Sequence, residues 1–409
     1  MRTRLALGMA ILIVVSLAAC DSGMPSPSPS PPVSGSPSPT ATRDGWQVAR
    51  WQEAQEVTQS DQPLELPYRQ LELEGSWHLD DYTDSTVCLR RVDGDQESVW
   101  LLPARSGKPK RVLPQALAAH DGFWISGVRL SDDWLAWEEL GSGDDLAEDV
   151  PWRLYAAPIR GGLEVGLPRP IARASTGGAR RPLFDLDGSR LVWTSATPTG
   201  RNSYDARLMQ RDLDSGRTRV LYRSDGMLHT VTLKDGVAVV METPKLPRPL
   251  ARFAVLDLTS GERVAAIDVD NEHPLSHWPA WRDGWLAWAP FADPEAQFPE
   301  LYLRAPDGAV WLVGGRSHDA CFVGPYLFYT DNRNEPPPFT WRVDIRAVSL
   351  EDMTSYSLVS GKPDLGDWWH GGGNGAPDVE HTFVAYDDRR YSEGDKEKND
   401  TLVRIFRVD

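Results

Sequence analysis

Short apolar bursts recur along the chain, each entered through a polar turn. "GVRLSDDWLAWEEL" stands near residue 127, "PLFDLDGSRLVWTSA" near 182, "TVTLKDGVAVVMET" near 230 and "AWRDGWLAWAPF" near 280. "ACFVGPYLFYTDNR" follows near 320, "PDVEHTFVAYDDRR" near 377, and a weaker copy, "WHLDDYTDSTVCLRRV", precedes them all near 77. With Leu79, Leu130, Leu186, Leu233, Trp281, Val323 and Val379 taken as equivalent anchors, the period is roughly 40 to 50 residues. Each burst is followed by a more alternating pair of segments around a turn. "DLTSG" divides 251–269, "DLDSG" divides 206–222 and "PDG" divides 301–315. Asp, Ser and Gly supply the left-handed conformations and side-chain turn bonds that such hairpins need. Helical periodicity is nearly absent, so each unit reads as four short antiparallel strands.

A four-stranded unit at this period predicts an all-β chain folded as a β-propeller of seven blades, or six if the copy near 77 is only a cap. A blade is covered by a neighbour on each face, so its inner strands read as continuous apolar runs. "WLAW", "RLVW", "VAVV" and "YLFY" are such runs. The same geometry gives the tryptophans of "SHWPAWRDGWLAWAPF" their place: Trp285 and Trp288 are an odd number apart and point to opposite faces, one towards each neighbouring blade. Core packing explains them better than a platform for stacking sugars. The last repeat ends at "TLVRIFRVD", a third strand, and "WQVARWQEAQEV" (Trp46–Val57) is expected to supply the missing fourth and close the ring.

Pro279, Trp281, Asp283 and Gly284, with Asp257, Leu258, Thr259 and Gly261, resemble the TolB-like propeller repeat. "TDNR" at 330–333 and "YDDRR" at 386–390 look like the Asp-x-Arg that follows the apolar strand in that family. "VGPYL" and "LSDDWL" depart from it, lacking the Asp-Gly turn. The resemblance spans most of the chain; it implies a fold and is weak for function.

The ends carry other information. Arg2 and Arg4 precede an apolar run, Leu5–Ala18, of signal-peptide length, ending in "LAAC". Small residues before a Cys resemble a bacterial lipobox, which implies a signal peptide over 1–19 and a lipidated Cys20. Two acyl chains there give stable anchoring. Residues 20–45 are Pro/Ser-rich, as expected of a disordered tether that lifts a propeller at 46–409 off the membrane. The expected location is a bacterial cell membrane, facing the periplasm or the exterior, and Asp21 resembles an inner-membrane retention signal. A net charge of −16 argues against nucleic acid as a partner. Cys88 and Cys321 fall in different repeats, and no disulfide is indicated.

Candidate chemistry is sparse. His78, His229, His277 and His318 lie one to five residues before their anchors, and His120 and His370 nine or ten before. Their side chains are candidates to gather at one mouth of a central channel. TolB-like oligogalacturonate lyases hold a metal with channel histidines, so the resemblance implies a second reading, a metal-dependent polysaccharide lyase with a transition metal at these positions. "DVDNEHPLSHWP" lacks the Gly and Glu of a calcium loop, "GGGNG" (371–375) opens no helix, and no GxSxG occurs. The acidic 141–150 and the charged 391–400 read as solvated loops. The first reading is therefore a monomeric lipoprotein without cofactor whose propeller binds an envelope protein or glycan.

Overall fold

The computed structural model describes residues 42–43, 46–50, 53–93, 96–141, 150–161, 163–175, 180–200, 203–224, 226–243, 251–269, 279–289, 300–316, 320–335, 340–360, 368–370, 381–393 and 396–408. The signal peptide, Cys20 and the tether up to Ala41 lie outside these residues, as do 142–149 and the glycine-rich 371–375. The fold is an all-β β-propeller. Its described strands fall into seven sheets, numbered here I to VII in chain order by the residues of their own repeats: I, 76–113; II, 124–174; III, 184–224; IV, 227–269; V, 280–316; VI, 320–360; VII, 368–408. Consecutive strands pair as antiparallel neighbours in each, except that in II both 164–165 and 169–174 pair with 152–160. "KDG" and "RDG" form the tight first turns of IV and V. Asp235 and Gly236, then Asp283 and Gly284, all have positive φ (50°, 77°, 45° and 87°), the combination that a two-residue primed turn requires.

The apolar core is divided between the sheets. Val99, Leu101 and Trp137 fill the junction of I and II, and Trp134, Trp152 and Trp193 that of II and III. Leu208 and Val240 lie between III and IV, and Phe253 and Trp288 between IV and V. Leu303 and Tyr329 lie between V and VI, and Phe328 and Phe406 between VI and VII. Val403 and Trp77 join VII back to I. Trp288 belongs to the IV/V junction and Trp285 packs at the V/VI junction, the opposite-face placement that their spacing predicts.

The strand register corrects two anchors. The residue that pairs across the first turn is Tyr82 (with Val87), Leu130 (Leu135), Leu186 (Leu191), Leu233 (Ala238), Trp281 (Leu286) and Phe322 (Leu327). Tyr82 and Phe322 thus replace Leu79 and Val323. In sheet I the anchor moves by three residues, and the strand also carries an extra residue, Asp80, at the register shift between Leu79 and Asp81.

Ring closure differs more. Trp46–Val57 does not close sheet VII; Tyr68–Glu74 does, antiparallel to 396–408. The N-terminal stretch instead forms a belt. β1 (Thr42–Arg43) pairs with β2 (Trp46–Ala49), so pairing already starts inside the stretch expected to be tether. β2 adds in parallel to the outer strand of IV, β3 (Gln55–Glu56) to that of V and β4 (Thr58–Pro63) to that of VI. β5 (Tyr68–Glu74) then takes the fourth place in VII. The belt also feeds the core: Ala49 joins the IV/V junction, Val57 V/VI, Leu64 and Leu66 VI/VII, and Leu73 VII/I. Unpaired outer edges are a liability, and one strand per sheet covers four of them in succession. Lastly, within 391–400 the described residues 391–393 and 396–400 continue the two long strands of VII, paired out to Glu393 and Lys396.

Candidate functional site

The position just before the anchor faces the next sheet on the innermost strands. In sheet I it is Asp81, buried among apolar neighbours. Its Oδ1 accepts the N–H of Tyr82 at 2.9 Å and its Oδ2 that of Leu130, in sheet II, at 2.7 Å. Asp185 repeats the arrangement in sheet III, accepting from Leu186 at 2.9 Å and from Leu233 of sheet IV at 2.6 Å. Between them, in sheet II, the same position is Arg129, whose Nε lies 3.4 Å from Asp185. In sheet IV it is Thr232, which donates to the carbonyl of Pro279 at 3.0 Å. One repeat position therefore ties sheets I to V in series through side chains.

A second set of charges lies beside it. Arg90 binds Asp80 at 3.1 Å and Glu97 at 3.3 Å, and donates to the carbonyl of Ile125 at 2.9 Å. Buried Glu138 accepts from Arg181 Nε at 2.9 Å and from Ser126 Oγ. Asp80 and Ser126 are the extra residues at bulges of their strands, as is His229; such insertions re-aim a side chain without breaking the sheet.

The charges do not balance. Five carboxyl groups (Asp80, Asp81, Glu97, Glu138, Asp185) face three guanidinium groups (Arg90, Arg129, Arg181). Burial pushes Asp81 up to about 8, against the pull of Arg129, and the nearby Asp185 adds to the rise. Burial likewise raises Asp185 to about 6, and Glu138 and Asp80 above the usual carboxyl range. Burial and the excess of carboxyl groups thus favour the protonated form of Asp81, which at 1% exposure is turned away from solvent. The signal in the sequence was an acid inside an apolar inner strand, "LDDY" and "FDLD".

The sequence-predicted histidines separate into groups. His78 and His229 are half-buried on the innermost strands of I and IV. Each stands four residues before its corrected anchor, and the same count puts His277 before Trp281 and His318 before Phe322. His277 and His318 lie outside the described residues, and of His370 only the backbone, in a strand of VII, is described. His120 is exposed on a short 3-10 turn beside Asp121, 3.3 Å away, and does not join the others. No group of three or more His, Cys, Asp or Glu side chains suited to a metal occurs among the described residues. Cys88 and Cys321 are both buried and not joined in a disulfide; Cys321 Sγ lies 3.7 Å from the Tyr82 hydroxyl.

The chain is similar to several solved structures. One is the acylaminoacyl peptidase of Pyrococcus horikoshii, with a TM-score of 0.48 and 9% identity over 80% of this chain and 57% of that one. Another is TolB from Acinetobacter baumannii, with a TM-score of 0.39 and 11% identity over 78% of each chain. A third is an oligogalacturonate lyase in complex with manganese, with a TM-score of 0.38 and 11% identity over 68% of this chain and 95% of that one. The chain thus spans little more than half the length of the peptidase. No protein-family model and no curated protein matches the sequence. At such identities a likeness concerns the fold alone, and the propeller assignment stands on the strand order.

Proposed function

We propose that this chain is an extracytoplasmic bacterial lipoprotein, held to the cell membrane by lipid on Cys20, whose TolB-like propeller acts as a monomeric protein- or glycan-binding scaffold in the envelope. Taking each sheet as one blade, the propeller has seven. The belt is the observation that carries this reading. The chain emerging from the Pro/Ser-rich stretch is hydrogen-bonded to four successive sheets before it enters the first repeat. A body hung from a tether needs its attachment spread over many backbone bonds, and the belt does that at the rim, leaving the loops at both ends of the wheel for a partner. The test is detergent phase partitioning of the full chain expressed in a bacterium. The parent protein should enter the detergent phase and Cys20→Ala the aqueous phase. Equal partitioning of the two would overturn the anchor. For the scaffold, pull-down from membranes with the lipidated protein should retain an envelope protein or glycan that rebinds saturably once purified; failure to rebind would count against it.

The lyase reading draws on one specific observation, the common spacing of His78, His229, His277 and His318, each four residues before its anchor, although the strand register pairs His78 with Arg90 and leaves His229 as a bulge residue. The surroundings of His78 suit a divalent cation poorly, because its cross-strand partner is Arg90. Metal analysis of the purified protein decides between the readings: a bound transition metal lost on His229→Ala with the fold intact favours the enzyme.

A further inference from the structure

The two hairpin motifs that stand out in the sequence, "DLDSG" at 212–216 and "DLTSG" at 257–261, border one cavity between sheets III and IV. Its volume is about 350 Å³, at the lower end of small-molecule sites. Three arginines line it, Arg190, Arg217 and Arg219, against a single acid, Asp212. That acid is already engaged, since Asp212 Oδ1 accepts the N–H of Ser215 in its own turn at 2.7 Å.

Two of the guanidinium groups are fixed in place. Arg219 donates from Nε to Gln210 at 2.7 Å, and from one terminal nitrogen to the carbonyls of Leu258 at 2.6 Å and Thr259 at 2.9 Å. Arg190 donates to the hydroxyl of Thr259 at 3.0 Å. Neither contact uses all five N–H groups of its guanidinium. Arg217 is exposed on the hairpin, and its side chain makes no hydrogen bond or ion pair among the described residues. A cationic floor held by these hydrogen bonds, with Arg217 at its edge, presents donors suited to an anion. Asp257 of the second hairpin also lies within electrostatic reach of Arg190, but its carboxylate is taken up by the N–H groups of Thr259 and Ser260 at 2.9 and 2.6 Å.

We infer that this cavity binds a small oxyanion, a phosphate or carboxylate group on a molecule of sugar-phosphate size, with Arg217 closing over it and the remaining N–H groups of Arg190 and Arg219 beneath. The inference is independent of the anchor and of the channel histidines. Calorimetric titration of the full chain with inorganic phosphate, glucose 6-phosphate and gluconate, at constant ionic strength, tests it. At least one probe should bind saturably, with a dissociation constant on the order of 1 mM or tighter. Preference for glucose 6-phosphate over gluconate marks the phosphate group as the ligand, and the reverse marks the carboxylate. Arg217→Ala should weaken binding at least tenfold and Arg217→Glu abolish it, while Arg160→Ala, at an exposed arginine of sheet II, leaves it unchanged; all three should melt like the parent. Absence of saturable binding by any of the probes, or equal affinity in Arg217→Ala, would overturn the inference.

Discussion

Three glutamines of the belt each accept a hydrogen bond from an arginine on the third strand of a sheet, and their unequal burial makes a quantitative test. Arg304 is 3% exposed. It donates to Gln47 at 2.7 Å and to the carbonyl of Ala305 at 3.1 Å, and its Nε has no partner among the described residues. Burial correspondingly holds its pKa below the usual arginine value. Arg346 is also buried, but it holds Ser355 as well as Gln59, which it contacts at 2.7 Å. Arg404 reaches Gln70 at 3.0 Å in the open. Removing a partner from a buried charge costs about 1.5–3 kcal/mol, and from an exposed one a few tenths. Gln47→Leu should therefore lose about 2 kcal/mol or more, Gln59→Leu about 1 kcal/mol because the serine contacts persist, and Gln70→Leu under ~0.5 kcal/mol. Adding Arg304→Met to Gln47→Leu should restore part of the loss, since both partners are then apolar. Equilibrium urea unfolding followed by tryptophan fluorescence reads these differences. Equal losses at the three glutamines, or a loss at Gln47 below ~0.5 kcal/mol, would refute the belt's role in neutralising buried arginines.

The hub carboxyls give a pH dependence of definite sign. With Asp81 raised to about 8 and Asp185 to about 6, the native state binds more protons than the unfolded chain between roughly pH 4 and pH 8, so stability falls as pH rises through that window, by at most about 1.4 kcal/mol per unit for each group. Melting temperature should drop from pH 5 to pH 9 and the drop should shrink in Asp81→Asn; a rising profile contradicts the assignment. Trp288, 1% exposed and stacked on Tyr302 at 5.9 Å, should cost about 3–5 kcal/mol on truncation to Ala, against distinctly less for half-buried Trp285; the same urea titration compares them, and equal costs would refute burial as the source of the difference.

Much of the wheel could be read from residues alone because it is built from local periodicities. The apolar bursts, the Asp-Gly turns and the odd spacing of Trp285 and Trp288 are set by strand geometry that any short segment obeys. The anchors failed where the copy is weakest, in "WHLDDYTDST", and where "ACFVGPYL" offered two apolar candidates in a row. By count from the anchor His78 and His229 both stand four residues ahead, but the register separates them: His78 pairs with Arg90, whereas His229 is the extra residue of a bulge and Thr230 takes the equivalent place. The ionic hub was hidden because Asp81, Arg129 and Asp185 lie in three repeats, and only the ring brings a carboxylate of one to the backbone N–H of the next.

The belt was the least legible feature. "TQSDQP" (Thr58–Pro63) has no apolar alternation and reads as a loop, yet it pairs with sheet VI. Pairing at an outer edge is made by backbone N–H and C=O groups, which every residue carries, so side-chain pattern encodes it only weakly. The linear order of residues settled the repeating unit and its buried faces, because those follow from side-chain periodicity. Which segment closes the ring, and which sheets the N-terminus binds, depended on where open strand edges stand in three dimensions.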